Sequence, residues 1–353
     1  MLAAANRGRL LLRDAQLTTR AFICGCAGTA LDEVERTFMS ETQPWGLILF
    51  RRNVDNPEQL RALTASFRRA VGRPDAPVLI DQEGGRVQRL TAPHWRRYPA
   101  ASRFAELLSS DPALALRMAR LGGELLGRDL SDCGITIDCA PVLDIPVEGS
   151  SNVIGDRAFG RDPETVAVLA RAFAEGLMAG GVLPVMKHIP GHGRAEVDSH
   201  HDLPVVTADR DELDRDFAPF EMLVDLPLAM TAHIVYRALD PDHPATTSRK
   251  VIDTVIRREI GFDGLLLSDD LSMQALRGTL GERAAAASAA GCDMLLHCNG
   301  VLDEARAVAE AAPLLAGRAA ERAAAALARH VPAVSRDLAA DRAAFEAAMV
   351  QIA

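Results

Sequence analysis

Aromatic side chains are scarce, 4% of the 353 residues, with two Trp and two Tyr. Such a chain has little to stack against a ligand, so a binding site in it must work through charge and hydrogen bonds. Long apolar runs are missing too. No stretch approaches the roughly 18 uninterrupted apolar residues of a membrane-spanning helix, and no membrane partner is expected. Near the start, Leu10-Leu11-Leu12 stands alone between Arg9 and Arg13, short of the roughly 7–15 apolar residues of a secretory signal. A cytoplasmic location is the expectation. Positive charge is in deficit, 39 Lys and Arg against 48 Asp and Glu, for a formal net charge of −9. Nucleic acid is excluded as a partner, because neutralising phosphates needs clustered cations. Cysteines are few, and Cys24, Cys26, Cys133, Cys139, Cys292 and Cys298 lie inside apolar segments, as reduced core thiols do. Cys24-Gly-Cys26 has the wrong spacing for a zinc knuckle. No metal and no cofactor is expected.

What is present is globular: 48% hydrophobic and 25% charged residues are ordinary fractions for a packed core with a solvated surface. The length fits two domains or one large barrel of about 250 residues plus insertions. Apolar runs of strand length decide between them. They are Ala21–Ala27, Gly46–Phe50, Pro77–Asp81, Ile135–Cys139, Leu183–His188, Leu228–His233, Gly264–Asp269 and Cys292–Cys298. Each is apolar almost throughout, the pattern of strands covered on both faces. Helical stretches alternate with them. Asp111-Pro112 opens one that runs to about Cys133, Asp162-Pro163 opens one closed by Gly180-Gly181, and Ser248 begins one that ends at Gly261, each with cap chemistry. This alternation predicts a TIM-type (β/α)8 barrel with right-handed crossovers. An open doubly wound sheet is the alternative. Residues 304–329 and 336–349 read as amphipathic helices covering the barrel wall. The expectation is one barrel domain over residues 1–353, with a lead-in over 1–20 and a helical tail over 300–353.

In such barrels the C-terminal ends of the strands form the active face. There the chain places Asp81, Asp138, Lys187-His188, His233, Asp269-Asp270 and Asn299. Three segments stand out. Asp81-Gln82-Glu83-Gly84-Gly85-Arg86-Val87-Gln88-Arg89 couples a tight Gly-Gly turn to acids and arginines that suit hydroxyl-rich or anionic ligands; a surface ion-pair network is its other reading. Residues 187–204 carry four of the nine histidines, with Asp198 and Asp202. That loop suits proton transfer or metal binding, or is simply polar. Pro190, Gly191 and Gly193 break any helix, so no His-x-x-x-His ligand face forms. Ser268-Asp269-Asp270 puts carboxylates at the mouth of strand seven, one as a helix cap and one facing the axis. Periodicity alone leaves open which is which.

At these three segments the chain resembles glycoside hydrolase family 3, and within it the short bacterial β-N-acetylglucosaminidases of cell-wall recycling. The resemblance runs from about Ala21 to Asn299. It implies that Asp269 is the nucleophile, that His200 in Asp198-Ser199-His200 is the acid/base, and that Asp198 orients it. It further implies that Asp81, Arg89, Arg157 in Gly155-Asp156-Arg157, Lys187 and His188 bind substrate. The implied activity is retaining exo-hydrolysis of terminal β-linked N-acetylglucosamine from anhydromuropeptide-type wall fragments, by a monomer, with a small carbohydrate as sole partner. Action on another β-glycoside, phosphorolysis, a metal-dependent barrel hydrolase and a non-catalytic sugar-binding barrel are the competing readings.

Overall fold

The computed structural model describes residues 19–195 and 203–350. Eight parallel strands close into a barrel: β1 (Arg20–Cys24), β2 (Pro44–Leu49), β3 (Val78–Ile80), β4 (Ile137–Asp138), β5 (Leu183–Ile189), β6 (Leu228–Thr231), β7 (Leu265–Asp270) and β8 (Met294–His297). Each pairs with its neighbours in sequence, and β1 closes the barrel against β8. Every expected apolar run overlaps one of them. The open-sheet alternative is set aside by the β1–β8 pairing, with Phe22 opposite Leu295 and Cys24 opposite His297.

Alternate residues of each strand enter different cores. Ile23, Ile48, Leu79, Ile137, Val185, Met230, Leu267 and Leu296 point into the barrel. Phe22, Leu47, Val78, Met186, Leu266 and Leu295 point outward beneath the helices. Because both sets are apolar, the two-residue alternation of a strand is invisible in hydropathy. It nonetheless dictates which polar residues at the strand ends face the axis. Residues two further along from Leu79, Val185 and Leu267 are Asp81, Lys187 and Asp269.

The expected caps are in place. The carboxylates of Asp111 and Asp162 accept from the amides of Leu114 and Thr165 at 2.9 Å, opening helices Pro112–Ser131 and Pro163–Ala179. Each helix carries Pro in its first turn, where no amide partner is needed. These two helices pack backbone to backbone at Gly123, where a Cβ would lie 2.2 Å from the Phe173 carbonyl oxygen. Ser248 accepts from the Val251 amide at 3.0 Å, but the segment it opens, Val251–Glu259, is wound more loosely, as a π-helix.

The tail differs from expectation. In place of one helix over 304–329 there are two, Leu302–Ala311 and Gly317–Ala328, because Pro313 cannot donate the amide that continues the helix. Leu315, Ala323 and Ala326 then join the barrel-interior core beside Trp45 at the start of β2. The tail therefore plugs the closed end of the barrel, and the open end is the site. Helix Ala339–Val350 packs Phe345 against Phe104 and Tyr98. All six cysteines are unpaired and buried. Among the described residues no helix is long and apolar enough to cross a membrane.

Candidate active site

The turn after β3 folds back on itself. Gly84 and Gly85 take φ of 97° and 57°, a region in which L side chains are strained. The Gln82 side chain pins the return, accepting from the Arg89 and Leu90 amides at 2.7 and 3.0 Å. Arg89 is thereby laid over Asp81, with Nη2 3.3 Å from Oδ2, and over the Phe50 ring at 5.3 Å. Phe50 also carries Arg52 at 5.1 Å, so this ring supports cations rather than offering a bare stacking platform.

Lys187, only 2% exposed, reaches along the axis from β5. Its Nζ lies 2.8 Å from Asp81 Oδ1 and 2.6 Å from Glu83 Oε1. An ammonium has three donors, and two are spent here, leaving the third for a ligand. Arg157 grips Glu83 through two parallel bonds of 2.8 Å, Nε to Oε2 and Nη2 to Oε1. Burial would raise the Asp81 and Glu83 carboxyls, but Lys187 with Arg89, and Lys187 with Arg157, outweigh it and hold both below the usual range. Sequence reasoning assigned Glu83 no role, although the motif that contains it was singled out. Here it ties two of the expected binding residues together.

His188, the next residue on β5, is fixed by Asp144. The imidazole Nδ1 lies 2.7 Å from Asp144 Oδ2, and its backbone amide donates to Oδ1 at 3.1 Å. The His192 amide donates to the same oxygen at 2.6 Å. A carboxylate at Nδ1 selects the tautomer that leaves Nε2 for the pocket. Burial would raise the Asp144 carboxyl, yet His188 and His192 hold it below its ordinary range. The His192 ring lies 5.4 Å from that of His188, and burial together with His188 pushes its pKa down to about 4. Asp144 had no sequence signal beyond following an apolar run. His192 lay in the histidine loop but was given no role.

The two carboxylates ending β7 are now distinguished. Asp270 is held by the following turn, accepting from the Ser272 amide at 3.0 Å, the Ser272 hydroxyl at 2.6 Å and the Cys298 amide at 3.1 Å. Asp269 continues the axis-facing row of Leu265 and Leu267. Its Oδ1 accepts from the Asp270 amide at 2.8 Å. Burial would raise the Asp269 carboxyl, but His233, His188, the Asp270 amide and Lys187 hold it below the usual range. It is a half-buried, ionised carboxylate whose Oδ2 accepts no hydrogen bond among the described residues.

These residues surround one cavity of about 290 Å³, lined by Asp81, Arg89, Arg157, Lys187, His188 and Asp269 among others. Six of the eight site residues expected from sequence thus converge. His200 and Asp198 lie outside the described residues. The cavity stands at the low end of the ~300–1,000 Å³ of small-molecule sites. Around it Lys187, Arg86, Arg89 and Arg157 face Asp81, Glu83, Asp269 and Asp270, four cations against four carboxylates. Such a balanced lining favours a neutral, hydroxyl-rich ligand.

A closed parallel barrel whose open end holds an ionised carboxylate beside a cluster of ion pairs has the architecture of a barrel glycosidase. Residues 13–334 match the N-terminal domain of glycosyl hydrolase family 3, and the chain belongs to that family. Curated relatives named beta-hexosaminidase include one from Alkalilimnicola ehrlichii, 45% identical over 280 residues covering 78% of this chain and 79% of that one. Another, from Nitrosomonas eutropha, is 42% identical over 278 residues, covering 77% and 79%. Among solved structures, native NagZ from Neisseria gonorrhoeae superposes with a TM-score of 0.82 at 34% identity, over 95% of this chain and 97% of that one. The same relative has been solved with N-trifluoroacetyl-D-glucosamine and with zinc.

Proposed function

We propose that this chain is a retaining exo-β-N-acetylglucosaminidase that removes terminal N-acetylglucosamine from GlcNAc-1,6-anhydroMurNAc-type wall fragments. The observation that carries the reading is Asp269, half-buried at the end of β7 and ionised, facing a cavity with room for about one sugar ring. A beta-hexosaminidase name on relatives more than 40% identical and a sugar analogue bound to the gonococcal relative support the sugar. The six unpaired cysteines fit a reducing, cytosolic setting, and action as a monomer completes the reading.

In this mechanism an Asp269 oxygen attacks the anomeric carbon as the glycosidic C–O bond breaks, giving a glycosyl-aspartate through an oxocarbenium-like transition state. The departing oxygen takes a proton from the His200 imidazolium. Water then attacks the same carbon and gives its proton to neutral His200, and Asp269 leaves as carboxylate. A His titrates near neutrality and can serve both halves, and Asp198 steadies its charged form. Lys187, Asp81, Arg89 and Arg157 hold the hydroxyls and acetamide, with His188 presenting Nε2. Positioning of this kind lowers the barrier by several kcal/mol, roughly 7–11 at its upper range.

The test compares GlcNAc-1,6-anhydroMurNAc with an aryl β-glucoside, with and without phosphate. Efficient release of free N-acetylglucosamine from the first alone is expected. Preference for the glucoside, or release of a sugar phosphate, would overturn the substrate or the hydrolytic step respectively.

A further inference from the structure

His233 ends the sixth apolar run, and neither the binding set nor the reaction accounts for it. It is fully buried, as are Thr231 and Thr246 around it. Burying three polar side chains at one spot costs free energy unless all are hydrogen-bonded, and here they are. His233 Nδ1 lies 2.7 Å from Thr246 Oγ1, which in turn lies 2.8 Å from Thr231 Oγ1 and 3.1 Å from the Ala232 carbonyl. The other ring nitrogen, Nε2, lies 2.9 Å from the Asp270 carbonyl oxygen. A carbonyl only accepts, so Nε2 carries a proton and donates.

The place of this bond matters. The β6–β7 ladder stops at Met230 opposite Leu267, two residues short of Asp269. Beyond it the β8 side still grips β7, through the Leu271 amide to the Leu296 carbonyl at 2.9 Å and the Cys298 amide to Asp270 at 3.1 Å. On the β6 side, His233 takes over from the backbone. It clamps the carbonyl of the residue whose own amide orients Asp269 Oδ1. A two-bond chain therefore runs from the threonine-braced imidazole to the nucleophile.

We propose that His233 is a positioning residue for Asp269, holding the end of β7 so that the carboxylate is aimed at the anomeric carbon. The inference rests on the reading of Asp269 as nucleophile. A ligand-free core histidine would serve equally well as any side chain of its volume; a clamp requires the donor at Nε2.

The test uses the full chain with two replacements. His233→Gln keeps an N–H near the Nε2 position, and His233→Met keeps the bulk without a donor. Assays employ an activated aryl N-acetyl-β-glucosaminide for turnover and a 5-fluoro-N-acetylglucosaminyl fluoride for trapping the glycosyl-enzyme. In the Met variant kcat and the trapping rate are expected to fall about 10–100-fold, the size of effect that small misplacements produce, with KM within about 3-fold of wild type on the same scale. The Gln variant should recover most of that loss. A folded Met variant that turns over and traps at the wild-type rate overturns the proposal. So do equal losses in both variants accompanied by a matching rise in KM. Should the Met protein not fold, Thr246→Val removes the brace alone and is expected to lower kcat severalfold at unchanged KM; full kcat there also overturns it. A label landing on a residue other than Asp269 in the wild-type enzyme instead defeats the nucleophile reading, and the clamp with it.

Discussion

Asp144 holds His188 from two sides, its Oδ2 2.7 Å from the imidazole Nδ1 and its Oδ1 3.1 Å from the backbone amide. The pair behaves as one unit at the pocket wall, because the carboxylate fixes both the position and the tautomer of the ring. Asp144→Asn is expected to lower kcat/KM by about 10–100-fold, the range for loss of an orienting partner to a functional histidine. The double variant with His188→Ala should be little worse than His188→Ala alone. Steady-state kinetics of the three proteins checks this, and additive losses would show that the two side chains act separately.

Glu83 is the keystone of the cation cluster, touching Lys187 at 2.6 Å and Arg157 through two bonds of 2.8 Å. Glu83→Gln leaves two buried cations short of a partner. Removing one member of a buried pair costs about 3–5 kcal/mol, so a loss of unfolding free energy of that order, seen as a lowered urea midpoint, is expected together with weakened sugar binding. An unchanged midpoint would mean that solvent reaches the cluster.

Stability should depend on pH through His192. Its pKa falls from an ordinary 6.5 to about 4 in the fold, so between those values the unfolded chain binds more protons than the native one. Stability is therefore lost as pH drops through that window and is whole above it. Asp216, raised by burial to about 6 despite Arg194, works in the opposite sense, since the folded state holds its proton more tightly. His192→Gln isolates the first effect: the variant should lose less stability than wild type between pH 7 and pH 4.5 in paired urea titrations. An equal loss in both proteins would contradict the assignment.

How much of this was legible from sequence depends on the kind of residue. The strands were, because eight apolar runs have no place outside a doubly covered sheet, and the Asp-Pro openings at Asp111 and Asp162 marked their helices directly. Periodicity alone does not tell Asp269 from Asp270, and only the family resemblance picks out Asp269. The strand before them is apolar on both faces, so no hydropathy alternation reveals parity, and the partners that claim Asp270 include Cys298, just past the end of β8. Glu83 stood in a motif already singled out, yet its role depends on Arg157, more than seventy residues away in the chain. Asp144 follows an apolar run with no motif around it, and only the fold brings it to His188. The helix expected over 304–329 runs across Pro313, whose missing amide divides it in the fold.

The roles of His200 and Asp198 have a separate signature in the leaving group. His200→Ala should spare aryl glycosides whose leaving groups need no proton and lose roughly 10²–10⁴-fold on poor leaving groups, the usual worth of general acid catalysis. Asp198→Asn should follow the same trend with smaller losses. A series of substituted aryl N-acetyl-β-glucosaminides measures the slope. Equal losses across the series would remove His200 from the acid role.

The most direct test of the account is the identity of the covalently modified residue. After brief reaction with a 5-fluoro-N-acetylglucosaminyl fluoride and proteolysis, mass spectrometry should find the sugar on the peptide spanning Ser268-Asp269-Asp270, at Asp269, and Asp269→Ala should neither label nor turn over. A sugar attached to another residue, or a first product of inverted configuration with no adduct, would contradict it.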